Sequence, residues 1–283
     1  MTDLSLRMTE DLRIRNYAQT TIKRYVEAVT QVAKHYNVSL DQLTPELVRK
    51  YLLKLVNEKK SVSLLKQVVC AIRFFFRQTL GRDFPTHLIP FPRSETRLPA
   101  ILSRDEVIAL VNAATNLKHF TMLATTYGIG VRVSELTRLQ VADIDSARLV
   151  IRVLQAKGHK DRELPLSKDL LELLRKYWRA HRPQKWLFPG QRANQPITKD
   201  SVEKVCELAC KRSGLTKHVT PHSLRHAFAT HLIEAGVSLA VVQQLLGHNS
   251  LRTTQRYVHV TPDALQAVRT YVDGFLTFLN PTL

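Results

Sequence analysis

Thr220-Pro-His-Ser-Leu-Arg-His226, Leu245-Leu-Gly-His-Asn249 and Thr253-Thr-Gln-Arg-Tyr-Val-His-Val260 are the three runs that decide how this chain is read. Pro221 is suited to the first position of a helix, which puts His222 and Arg225 three residues apart on one face. Arginine offers a planar fork that matches phosphate oxygens, and imidazole supplies a proton or a hydrogen bond near neutral pH. Gly247 stops the next helix just before His248. Tyr257 brings a phenol oxygen, a nucleophile able to form a covalent ester. Arginine, two histidines and a tyrosine drawn to one phosphate is the expectation these spacings set.

Charge points the same way. The 283 residues carry 42 Lys/Arg against 24 Asp/Glu, a formal net charge of +18. That surplus exceeds what solubility requires and implies a polyanionic partner. It is spread along the chain: residues 1–99 hold 17 basic against 9 acidic residues, and residues 100–283 hold 25 against 15. Both halves are therefore expected to touch the same anionic ligand, with nucleic acid favoured over an anionic membrane surface. Three cysteines, Cys70, Cys206 and Cys210, form no disulfide framework. No run of 18 apolar residues occurs and the first residues lack an apolar signal core, so the chain is expected to be soluble and cytoplasmic.

The fold expected is mainly α-helical in two parts. Residues 1–84 read as a bundle of about four helices. Ile22, Tyr25, Val26, Val29, Val32 and Ala33 form an apolar stripe of helical period, Thr44-Pro45-Glu46 signals a helix start, and Gly81 ends a helix begun at Ser61. Four prolines between Pro85 and Pro99 mark residues 85–99 as a linker. In residues 100–283, Ser103 and Glu106 make a capping box. Helices are expected over 103–114, 117–127, 132–140, 167–181 and 198–213, from Pro221 to Gly236, from Ser238 to Leu246, over 251–257, and from Pro262. Arg148–Leu154 and Arg162–Leu166 read as the strands of one hairpin, with Lys157-Gly-His-Lys-Asp161 at its tip.

Two further constellations carry chemistry. In Gly128-Ile-Gly-Val-Arg132-Val-Ser-Glu135, two glycines permit a tight turn, and a helix starting near Arg132 would aim its N–H groups and the guanidinium together at an anion. Glu135 is read as orienting Arg132 or a neighbour. Lys157 at the hairpin tip can protonate a leaving oxygen. His222, His226 and His231 invite a zinc reading, which the missing glutamate of a His-Glu-x-x-His motif disfavours. No metal and no cofactor are expected.

Together these motifs resemble the catalytic domain of the tyrosine site-specific recombinases, the phage-integrase and Xer-type family, over roughly residues 100–262. Residues 1–84 resemble that family's helical, SAM-like core-binding domain. The resemblance implies that Arg132, Lys157, His222, Arg225, His248 and Tyr257 form the catalytic set. Ala156 stands where many relatives have glycine, which raises Lys160 as a rival acid to Lys157. By the family's mechanism Tyr257 attacks a DNA phosphate, giving a 3′-phosphotyrosine without metal or ATP, and strands exchange through a Holliday junction. Duplex DNA with an inverted-repeat core site, a tetramer on that DNA, and a second recombinase or accessory protein are the partners implied. The tail Phe275-Leu-Thr-Phe-Leu279 is expected to dock on a neighbouring protomer. A type IB topoisomerase-like enzyme and a DNA-binding regulator without chemistry are the alternatives.

Overall fold

The chain's computed structural model describes residues 3–83, 89–93, 101–154, 161–192, 194–247 and 262–279. They fall into two compact units, Met1–Leu98 and Pro99–Leu283.

The first unit is built from α1 (Asp3–Ile14), α2 (Gln19–Tyr36), α3 (Pro45–Asn57) and α4 (Val62–Phe74). Thr44 and Ser61 cap α3 and α4, each side chain accepting from a backbone N–H three residues on, which satisfies donors a helix start leaves open. Ile22, Val29, Val32 and Ala33 bury the α2 stripe; Tyr25 and Val26 lie only partly covered at its edge. The α4 helix stops short of Gly81 because Phe75–Thr79 widens into a π turn. An extra residue per turn shifts the buried face, and Phe74, Phe75 and Phe76 all reach the core. Residues 89–93 of the proline-rich stretch lie on this unit: Ile89 is buried and its carbonyl accepts from Arg73, while Phe91 stands under the Arg73 guanidinium.

The second unit is organised around α6 (Leu117–Gly128), in which every residue from Phe120 to Gly128 is buried. A helix covered on all sides has no polar face, so its hydroxyls turn inward: Thr125 donates to the Thr121 carbonyl and Thr126 to that of Met122. On it pack α5 (Arg104–Asn112), α8 (Lys168–His181) and α10 (Pro221–Glu234), and α12 (Pro262–Leu276) reaches it through Tyr271 and Phe275, while α9 (Lys199–Arg212) and α11 (Leu239–Leu246) pack on α10. The Ser103–Glu106 capping box closes with both bonds, at 3.2 and 2.7 Å. β2 (Val150–Val153) pairs antiparallel with β3 (Arg162–Pro165), placing Ile151 opposite Leu164. A two-residue strand β1 (Ile144–Asp145) adds to the far edge of β2; it is too short to show alternation in sequence. The chain is thus mainly α-helical with one small antiparallel sheet, as expected.

One element differs from expectation. The helix expected over 132–140 is a single turn, α7 (Val133–Leu136). After it the Leu139 carbonyl accepts from Leu187 and the Gln140 N–H donates to Asp143, so the backbone bonds leave the helical ladder. The tail helix α12 lies on its own unit. Val268, Tyr271, Val272, Phe275, Leu276 and Leu279 are buried there, while Phe278 stays exposed. Polar bonds fix that seat: the Tyr271 hydroxyl pairs with that of Tyr127 at 2.6 Å and accepts from Arg104, and Asp273 accepts the Asp169 N–H.

Candidate active site

The turn after α6 comes first. Gly130 has φ +61°, and a Cβ there would lie 2.3 Å from the Phe228 ring, so only glycine fits. Its carbonyl accepts from Arg225 Nη1 at 2.7 Å, which ties the turn to the first half of α10.

Arg132 stands at the N-cap of α7. A helix of four residues has no macrodipole worth naming, so the expected helix-terminus anion site is absent; the N–H of Arg132 itself donates to Glu135 Oε2 at 2.9 Å. The guanidinium donates to Glu135 Oε1 at 2.8 Å and to the Gly247 carbonyl at 2.9 Å. Glu135 does orient Arg132, as expected, and it does more. Arg162, at the start of β3, grips both oxygens of the same carboxylate at 3.1 and 2.8 Å. Arg225 approaches it to 3.8 Å. One buried carboxylate is therefore surrounded by three guanidinium groups.

The electrostatics follow from that surplus of cations. Burial alone would raise the Glu135 carboxyl, but hydrogen bonds from Arg162 and from Arg132 overcome it and hold it at about 2. Burial and the neighbouring charge of Arg132 bring the Arg225 guanidinium down to about 10. His222, exposed on the first turn of α10, is pushed down from its ordinary value by desolvation and by the charges of Arg225, His226 and Arg132, which favours the neutral imidazole. Arg132 is the most open of these three arginines, its side chain 24% exposed against 11% for Arg162 and 3% for Arg225.

Arg132, Arg225 and His222 are thus brought into one neighbourhood. Lys157, His248 and Tyr257 lie outside the described residues, as does the expected helix over 251–257. His226 is exposed, its ring 6.3 Å from that of His222. His231 is a buried structural histidine bonded to the Tyr127 hydroxyl at 2.9 Å. Among the described residues no three His, Cys, Asp or Glu side chains gather as metal ligands.

A helical core carrying this arginine cluster beside a small sheet can be compared with known proteins. The signature of the Phage integrase family matches residues 100–263, more than half of the chain, and that of the phage integrase N-terminal SAM-like domain matches residues 4–86. The chain belongs to the phage integrase family. Its relatives within that family include a putative integrase/recombinase, y4qK, of Sinorhizobium fredii, 46% identical over 94% of this chain and 87% of the relative. The tyrosine recombinase XerD of Yersinia pestis is 33% identical over 89% of this chain and 90% of its own. Among solved structures, the XerA recombinase aligns over 95% of this chain and 97% of its own at 29% identity, with a TM-score of 0.51. A lambda integrase tetramer bound to a Holliday junction aligns over 89% and 75% at 23% identity and a TM-score of 0.73, which speaks for the phage-integrase fold.

Sequence reasoning missed Arg162, which it reads only as the first residue of the second hairpin strand. A signal was present. Side chains alternate across a strand, and Arg162 shares its face with Leu164 and Leu166, both buried. A cation on an inward face requires a partner, and Glu135 is that partner.

Proposed function

We propose that this chain is a site-specific DNA recombinase that cuts and rejoins DNA through a 3′-phosphotyrosine. The observation that carries the proposal is the guanidinium pair of Arg132, bonded to the buried Glu135, and Arg225, bonded to the Gly130 and Leu246 carbonyls, which gathers more positive charge than the one carboxylate offsets. Such preorganised cations stabilise charge developing on the non-bridging oxygens of a phosphate under attack. Tyr257 is the nucleophile, His222 takes or relays its proton as a neutral imidazole, His248 bonds the phosphate, and Lys157 protonates the departing 5′ oxygen. The phosphotyrosine conserves the bond energy, so rejoining needs neither ATP nor metal, and attack by a partner strand's hydroxyl leads to a Holliday junction.

In this reading residues 1–84 are the core-binding domain, residues 85–99 link it to the catalytic domain at 100–283, and both bind duplex DNA with an inverted-repeat core site as a tetramer. The test is Tyr257→Phe. DNA recovered covalently from the wild-type chain, resynthesised as a duplex, should still be bound by the variant but yield no protein–DNA adduct in a denaturing gel. An adduct formed by the variant would remove Tyr257 from its role.

A further inference from the structure

Three consecutive carbonyls at the end of α11 each receive a different arginine. Arg162 Nε donates to Leu245 O at 2.8 Å, Arg225 Nη2 to Leu246 O, and Arg132 Nη2 to Gly247 O. The last carbonyls of a helix lack intrahelical partners and carry its negative dipole end, so cations are well placed there. Gly247 ends the helix at φ +61°, and a Cβ built there would meet the Arg162 guanidinium at 3.4 Å.

Arg162 differs from its two companions. Its Nε, Nη1 and Nη2 are all engaged, by Leu245 O and by both oxygens of Glu135. Arg132 donates one N–H to Glu135 and one to Gly247, leaving the rest of its five donors without an acceptor among the described residues. Arg162 is also the point where β3, α7 and α11 are joined by a single side chain.

We infer that Arg162 is a positioning residue for strand cleavage: it locks Glu135 and the α11 terminus so that Arg132 and Arg225 face the scissile phosphate as a fixed pair. The inference rests on the recombinase reading above. The physical reason is competition for one carboxylate. With both oxygens held in the Arg162 fork, Glu135 touches Arg132 at one nitrogen and stays 3.8 Å from Arg225. Remove that fork, and the freed carboxylate oxygens draw the two catalytic guanidiniums onto themselves, since each is the nearest remaining cation. Positive charge meant for the phosphate is then neutralised within the protein, and the α11 terminus loses one of its three ties.

The experiment uses the full chain with Arg162→Gln and Arg162→Lys, and the resynthesised duplex just described, with either a natural phosphodiester or an uncharged methylphosphonate at the cleavage position. Single-turnover adduct formation and DNA affinity are read separately, with a thermal melt of each variant. On the phosphodiester, Arg162→Gln should slow adduct formation at least about tenfold, which is about 1.4 kcal/mol, with affinity changed less than threefold. Arg162→Lys, which keeps the charge but not the fork, should fall between. On the methylphosphonate the defect should shrink, because that linkage presents one charged non-bridging oxygen fewer for the displaced arginines to miss; a general loss of folded protein would slow both substrates alike. Variants as fast as wild type on the phosphodiester, or equally slow on both linkages, overturn the inference. A wild-type chain that forms no adduct on any DNA instead overturns the recombinase reading itself.

Discussion

Glu135 sits where burial favours a neutral carboxyl, and it is ionised because hydrogen bonds and charge from Arg162 and Arg132 outweigh the lost solvation. Replacing it leaves those cations packed together without an anion. Glu135→Gln should cost on the order of 3 kcal/mol in urea unfolding, the scale of breaking a buried ion pair. The pH dependence is set by the direction of the shift. Because the folded carboxyl is depressed from 4.5 to about 2, its contribution to stability is complete above pH 4.5 and is lost as pH falls towards 2. That acid loss should be smaller in Glu135→Gln. His222 gives a second pH expectation, on rate. Its imidazole is neutral above a midpoint lying below the ordinary 6.5, so adduct formation should hold through neutral pH and decline only on the acid side of 6.5. His222→Gln should be slower and lack that decline.

At the scale of elements, Gly130→Ala tests the turn that carries the site. A methyl would meet Phe228 at 2.3 Å on a backbone of positive φ, and strain with overpacking should cost about 2–4 kcal/mol. The melting temperature should drop, and the Gly130 carbonyl should no longer hold Arg225 in register. The two glycines before Arg132 announced a tight turn in the sequence, and the capping residues Thr44, Ser61, Ser103 and Ser238 announced four helix starts. These signals were legible because each acts within a few residues. The brevity of α7 was not legible, since what ends it is a bond to Leu187, distant in the chain. Arg162 was hidden for the same reason: Glu135 lies 27 residues before it, and Leu245 lies 83 residues after it.

For the whole molecule, the +18 charge spread over both units predicts binding dominated by phosphate contacts. A protein that neutralises six or more phosphates should lose about a thousandfold or more in affinity between 50 and 200 mM salt. A titration showing a nearly flat salt response would remove charge as the source of affinity. The distribution of basic residues was readable from sequence alone. The seat of the tail was not, because an amphipathic helix carries the same stripe whether it packs on its own unit or on another copy.

That seat bears on how the polypeptide is made. Tyr127 and Tyr271 meet across 144 positions, whereas the four-helix bundle draws its core from Met8 to Ile89. A ribosome releasing the chain from its amino end lets the bundle collapse early. The second unit must wait with the greasy flank of α6 uncovered until α12 has emerged, and that delay is the interval in which nascent copies are most open to chaperones and to one another.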